Sequence, residues 1–196
     1  MSELVTLSKH NARQKTPSKE DYIINNVLSH SMSVQIDELL SQAYEFVEDG
    51  NYSDALRIYN LILKEEPNNI NALLDKGATL QNMGKIKQAI SSFDKMLAIT
   101  PDNLDALLNK GAALHSNQKY LQAIECYDRA LKIDKRCAMA FAYKGLSLGE
   151  MGKLQDAIKY FKKALSIDKH YDLANISNNT AQDLLRSMKE KKSKIQ

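Results

Sequence analysis

The sequence predicts an all-α solenoid of four tandem helix-turn-helix units with a capping helix after them, and three observations carry that expectation. Ala55, Ala89, Ala123 and Ala157 recur at intervals of 34 residues without a gap. Other columns run in phase with them: aromatic Tyr59, Phe93, Tyr127 and Phe161, small Ala43, Gly77, Gly111 and Gly145, and bulky Leu39, Leu73, Leu107 and Phe141. Each unit also holds two amphipathic stretches with the three- and four-residue spacing of a buried helix face. A helix pair cannot bury both of its faces alone, so a fixed period of this length implies units that stack.

The units run over about residues 36–69, 70–103, 104–137 and 138–171. In the first stretch of the second unit Leu73, Gly77, Leu80 and Met83 form the apolar stripe, and in the second stretch Ile86, Ala89, Ile90, Phe93 and Leu97 do so. Gly50, Gly84 and Gly152 separate the two stretches, where a left-handed residue ends a helix without a Cβ penalty. Gln118 stands at that place in the third unit, which predicts either a cost of roughly 1 kcal/mol or a relaxed turn. Pro67 and Pro101 close the first two units, because a ring without a backbone donor stops the helix. Lys135 and Lys169 stand there later, and those junctions are expected to be less sharply punctuated. The small columns let facing backbones approach, with the aromatic of the second helix filling the space beside the crossing.

Residues 172–189 are expected to form the capping helix, with Leu173, Ile176, Leu184, Leu185 and Met188 on its packed face and Asn175, Asn178 and Asn179 on its wet one. A basic tail follows over 190–196, read first as a solvated helix end that complements the helix dipole. Upstream, 1–17 is polar and aperiodic and expected to be flexible. Over 18–33 Ser18 can cap a short helix with Tyr22, Ile23, Ile24, Val27 and Leu28 as its stripe, packed on the first unit or laid along a groove, with disorder as the third reading.

Composition is that of an ordinary globular chain, 43% hydrophobic and 26% charged. No apolar run is long enough to span a membrane and the amino terminus lacks a secretory core, so a cytoplasmic protein is expected. Cys126 and Cys137 have no partners at zinc spacing, so neither a disulfide framework nor a metal site is expected, and no cofactor. Catalytic residues are not expected either. No phosphate loop, nucleophile elbow or zinc helix occurs. His10, His30, His115 and His170 are scattered, with His115 alone expected near a groove, and paired carboxylates such as Glu65 and Glu66 lack a cleft that would separate their pKa values.

The period of 34, the Leu-x-x-x-Gly/Ala pattern of the first stretch, the Ala-x-x-x-Tyr/Phe pattern of the second and the closing Pro67 and Pro101 together resemble the tetratricopeptide repeat (TPR) family over residues 36–171. The chain departs from the family's pattern where Leu or Phe replaces an early Trp, and where Lys76, Lys110 and Lys144 occupy a usually apolar place. The resemblance implies a right-handed α-solenoid whose first helices line a concave groove that holds an extended or helical peptide. It implies a non-enzymatic scaffold or adaptor, with groove positions Asp37, Ser41, Tyr44, Asn71, Asp75, Asn82, Asp105, Asn109, Met139 and Tyr143. Asparagine both donates to and accepts from a peptide backbone, which makes Asn71, Asn82 and Asn109 sequence-tolerant hooks. A plain solvated helix face is the competing reading.

Some TPR proteins clamp the acidic tails of chaperones with Lys, Asn and Arg on their first helices. Of the matching places here only Asn109 fits, and Asp75 and Asp105 would repel a carboxylate, so no chaperone-tail clamp is expected. Lys and Arg against Asp and Glu number 2 to 8 in the first unit and 6 to 3 in the fourth. This contrast leaves open, as the alternative, a structural or assembly role through homo-oligomers or through contacts of the basic tail. Nucleic-acid or membrane contact through the tail is not expected, for want of interleaved aromatics.

Overall fold

The computed structural model describes residues 35–193, with side chains to residue 190. The expectations for 1–17 and 18–33 fall outside these residues, as does the end of the basic tail. The chain divides into two compact units, Met1–Glu38 and Leu39–Gln196. The first contributes only the opening turn of a helix to the described residues. Regular structure among them is entirely α-helical: α1 (35–48), α2 (Tyr52–Glu65), α3 (Ile70–Asn82), α4 (Ile86–Ile99), α5 (Leu104–Ser116), α6 (Tyr120–Ile133), α7 (Ala138–Glu150), α8 (Leu154–Ile167) and α9 (Asp172–Ser193).

The turns repeat as closely as the sequence columns. Gly50, Gly84 and Gly152 have φ of 74°, 71° and 75°, and Gln118 joins them at 59°. The third turn therefore keeps its left-handed residue instead of relaxing. The same pair of backbone bonds closes it, Gln118 N–H to the His115 carbonyl and Lys119 N–H to that of Leu114. A Cβ built on Gly50, Gly84 or Gly152 meets nothing within 4 Å, so the cost at Gln118 is one of backbone conformation. Gln118→Gly is expected to raise stability by up to about 1 kcal/mol, read as a higher urea midpoint at unchanged slope.

The junctions between repeats correct the expectation of weaker punctuation after α6 and α8. Cys137 N–H donates to Asp134 O and Tyr171 N–H to Asp168 O, as Asn69 does to Glu66 and Asn103 to Thr100 in the proline-containing junctions. Where proline is missing, an aspartate carboxylate makes the turn: Asp134 Oδ1 accepts from Arg136 N at 2.8 Å and Asp168 Oδ1 from His170 N at 2.9 Å. Helix starts are capped in register too. Asn69 Oδ1 accepts from Ala72 N, Asn103 Oδ1 from Ala106 N, and Cys137 Sγ, a weaker acceptor, from Ala140 N.

Inside the second, third and fourth repeats the aromatic of the second helix lies against the glycine of the first. A Cβ on Gly77 would fall 2.4 Å from Phe93 Cε1, on Gly111 2.4 Å from Tyr127 Cε1, and on Gly145 2.6 Å from Phe161 Cε1. Absence of a side chain thus creates the seat for the ring. The rings and the alanines Ala89, Ala123 and Ala157 are buried.

Across junctions, the lysines at the usually apolar place find polar partners 16 residues earlier. Lys76 Nζ donates to Asn60 Oδ1 at 2.6 Å, Lys110 pairs with Asp94 at 2.6 Å and Lys144 with Asp128 at 2.5 Å. Partner charge decides how burial is felt. Burial pulls the Lys76 ammonium below its usual range, aided by Lys95, because Asn60 offers no compensating charge. At Lys144 burial acts in the same sense, but hydrogen bonds to Asp128 and Tyr160 outweigh it and the net direction is upward.

The first helices of successive repeats touch one another, α3 with α5, α5 with α7 and α7 with α9, whereas α4, α6 and α8 meet only their neighbours in the chain. In a curved stack the layer whose members touch is the inner one. α9 belongs to that layer. Its buried residues are Ala174, Asn178 and Ala181, which continue the registers of Ala72, Ala106 and Ala140, of Lys76, Lys110 and Lys144, and of Thr79, Ala113 and Ser147. This corrects the expected packed face: Ile176, Leu184 and Met188 are exposed and Asn178 is covered. Close approach of an inner helix needs small side chains, and alanine supplies them where leucine cannot. α9 also runs on to Ser193, into the stretch read as tail, since Met188, Lys189 and Glu190 all favour helix.

Candidate functional site: the inner helix face

The residues singled out from the sequence all stand on first helices, and most of them are exposed. On α1 Asp37, Ser41 and Tyr44 are exposed; Asp37 belongs to the first compact unit and is described only by itself. On α3 Asn71, Asp75 and Asn82 are exposed; on α5 Asp105 is exposed and Asn109 half-buried; on α7 Met139 is exposed and Tyr143 half-buried. Contacts between α3, α5 and α7 bring the last three sets side by side.

Some of these groups are partly committed. Asn109 Nδ2 donates to the Asp105 backbone carbonyl at 2.9 Å, leaving its oxygen as the sterically simpler hook. The Tyr143 ring lies 5.8 Å from that of Tyr127, centroid to centroid, so its position is fixed by packing. Asp75 is exposed as a residue, yet desolvation by its neighbours pushes its carboxyl above the usual range. Asp75 in turn, after burial, contributes to the raised pKa of Tyr59 beneath it.

His115 couples two inner helices. Ser147 Oγ donates to the Tyr143 carbonyl at 3.1 Å, which spends its proton. The 3.0 Å contact between His115 Nδ1 and Ser147 Oγ therefore has the imidazole as donor. Burial lowers the His115 pKa, against Glu150, and favours this neutral form. The imidazole edge also meets the Tyr120 ring at 5.3 Å. These contacts make His115 a packing residue between α5 and α7.

Missing from the groove positions read from the sequence are Leu173 and Leu184 of α9, which continue the registers of Met139 and Glu150. The signal was present in Ala174 and Ala181, each 34 residues after Ala140 and Ser147. On the other side, a cleft of about 360 Å³ is lined by Asp94, Lys110, Glu125, Cys126 and Arg129. Burial raises the Cys126 thiol pKa, which disfavours a reactive thiolate. Among the described residues no cluster of His, Cys, Asp and Glu could hold a metal ion, and no helix is long and apolar enough to cross a membrane.

Helix pairs packed in succession, with the first helices of neighbouring repeats in contact, define an α-solenoid. The Tetratricopeptide repeat family matches residues 70–103 and 102–169, and the chain belongs to it. A search of curated proteins finds no match. Among solved structures, a crystal structure of MamA protein is similar at 26% identity and a TM-score of 0.68, over 76% of this chain and 81% of that one. MamA 41-end from Desulfovibrio magneticus RS-1 is similar at 23% identity and a TM-score of 0.64, over 81% and 96%. A tetratricopeptide repeat protein from Parabacteroides merdae ATCC 43184 shares the fold at 20% identity and a TM-score of 0.69, over 79% and 62%. The fold is in general a protein–protein interaction scaffold.

Proposed function

We propose that the chain is a cytoplasmic, non-enzymatic adaptor that holds a peptide segment of a partner protein along the inner helix face. The observation that carries this reading is the difference between the layers. First helices touch one another and second helices do not, and the touching layer presents polar and apolar groups in rows of accessible side chains. Rows on parallel helices recognise an extended or helical peptide because each rung meets a successive part of it. Asn71, Asn82 and Asn109 supply backbone hydrogen bonds, and Met139 and Tyr143 supply apolar contact.

The test is affinity capture with mass spectrometry, comparing wild type with the triple variant Asn71→Ala, Asn109→Ala, Tyr143→Ala. Proteins retained by the wild type are expected to be lost from the variant, with its melting curve confirming that it remains folded. An identical captured set from a folded variant would remove the proposal.

A further inference from the structure

The junctions between successive repeats share three polar columns with different fillings. Lys76, Lys110 and Lys144 stand on first helices, Asn60, Asp94 and Asp128 stand 16 residues before them, and Lys95, Arg129 and Lys163 follow on the second helix of the same repeat. In the second and third junctions every one of these cations is engaged. Lys110 pairs with Asp94 and Lys144 with Asp128. Arg129 Nη2 donates to the Pro101 carbonyl at 2.6 Å, and Lys163 Nζ lies 5.4 Å from the centre of the Phe141 ring and 5.3 Å from that of Tyr160. The first junction differs. Lys76 Nζ donates to Asn60 Oδ1 at 2.6 Å, and among the described residues no carboxylate pairs with Lys76 or Lys95. Lys76 is half-buried while Asn60 and Lys95 are exposed, and α2 and α4 flank α3 without touching each other, so the group is accessible. Since Asn60 Oδ1 faces the Lys76 ammonium, its Nδ2 remains as a donor. The junction thus presents three donor groups, two of them cationic, and no anion.

We infer that the first junction binds a carboxylate of a partner polypeptide, the side chain of an aspartate or glutamate, between Lys76, Lys95 and the Asn60 amide. The chemistry of the ligand is that of the later junctions, where the chain meets the equivalent lysine with a carboxylate of its own. Asparagine has the shape of aspartate but leaves the countercharge to be supplied from outside. Burial and the repulsion of Lys95 already disfavour the Lys76 ammonium, so a bound carboxylate relieves a penalty present in the free protein. Ionised donors on an ionised acceptor make the stronger class of hydrogen bond. None of the three residues belongs to the peptide-holding set above, so the two readings stand or fall separately.

The probe is a labelled synthetic peptide of alternating glutamate and glycine, at low ionic strength where exposed charges are least screened, with anisotropy as the readout. Asn60→Asp supplies the internal carboxylate of the later junctions and is expected to weaken binding about fivefold or more, as is Lys95→Gln. Lys135→Gln changes the net charge by the same amount at an exposed site away from the three residues and is expected to leave binding unchanged. All three substituted positions are exposed, so the variants are expected to melt as the wild type does. Equal weakening in Lys135→Gln would mean attraction by net charge alone and would overturn the site. Unchanged binding in Asn60→Asp, or no binding to wild type, would overturn it as well. Displacement of the peptide by inorganic phosphate but not by acetate at equal ionic strength would assign the junction to phosphate and overturn a carboxylate ligand.

Discussion

Replacing Gly111 by leucine is expected to abolish the cooperative unfolding transition of the third repeat, and alanine at that position should already lower stability by about 1–3 kcal/mol. Even the first added carbon would lie 2.4 Å from Tyr127 Cε1. The ring is fully buried and touches Tyr143 on the next helix, so it cannot swing aside without disturbing α7. The first repeat carries a buried Ala43 at the same register, which shows that a methyl is tolerable where the surrounding packing has been set for it. A graded loss from glycine through alanine to leucine in urea titrations therefore reports the lack of that adjustment around Tyr127. Equal midpoints for Gly111 and Gly111→Ala would refute the close-contact account.

The second large effect is the opposite operation on the second repeat. Phe93→Ala removes a fully buried ring from the seat formed by Gly77, and a cavity of this kind costs about 3–5 kcal/mol. Gly77 beside the ring, and Ala89 and Ala113 in the same cluster, have no side chain long enough to fill the space the ring leaves. Stability in a stacked array is a sum of repeat and interface terms, so the loss should not be shared evenly along the chain. Amide exchange in α3 and α4 is expected to accelerate strongly while α7 and α8 keep most of their protection. Uniform acceleration would mean that the stack unfolds as one unit.

The fold was legible because its cause is periodic. Alanine, glycine and aromatic columns act at every repeat, so four weak local signals in phase amount to a strong one. Substituted positions were harder to read. Gln118 left two turn geometries open, and only the backbone shows that the left-handed one is kept. Lys135 and Lys169 suggested loose junctions because the aspartates one residue earlier, which make the turn through Asp134 and Asp168, are not proline-like in sequence. At α9 the larger leucines and isoleucines drew attention away from Ala174 and Ala181. Size indicates burial in most helices, but in a layer where backbones approach closely it indicates the reverse. The ladder residues of the candidate site were named from register alone; the partial commitment of Asn109 and the desolvation of Asp75 depend on neighbours that no linear pattern displays.

The polar pairs that bridge successive repeats have a consequence for how such a chain can change length. Asp94 with Lys110 and Asp128 with Lys144 repeat one chemical handshake at one fixed offset, so excising or copying the unit between them would recreate a seam with matching charges. At the far end the offset holds Lys162 and Asn178, a reversed combination that offers no carboxylate to an incoming lysine. The interior is thus modular, like identical couplings on a train, while the coupling to α9 is cut to a different pattern.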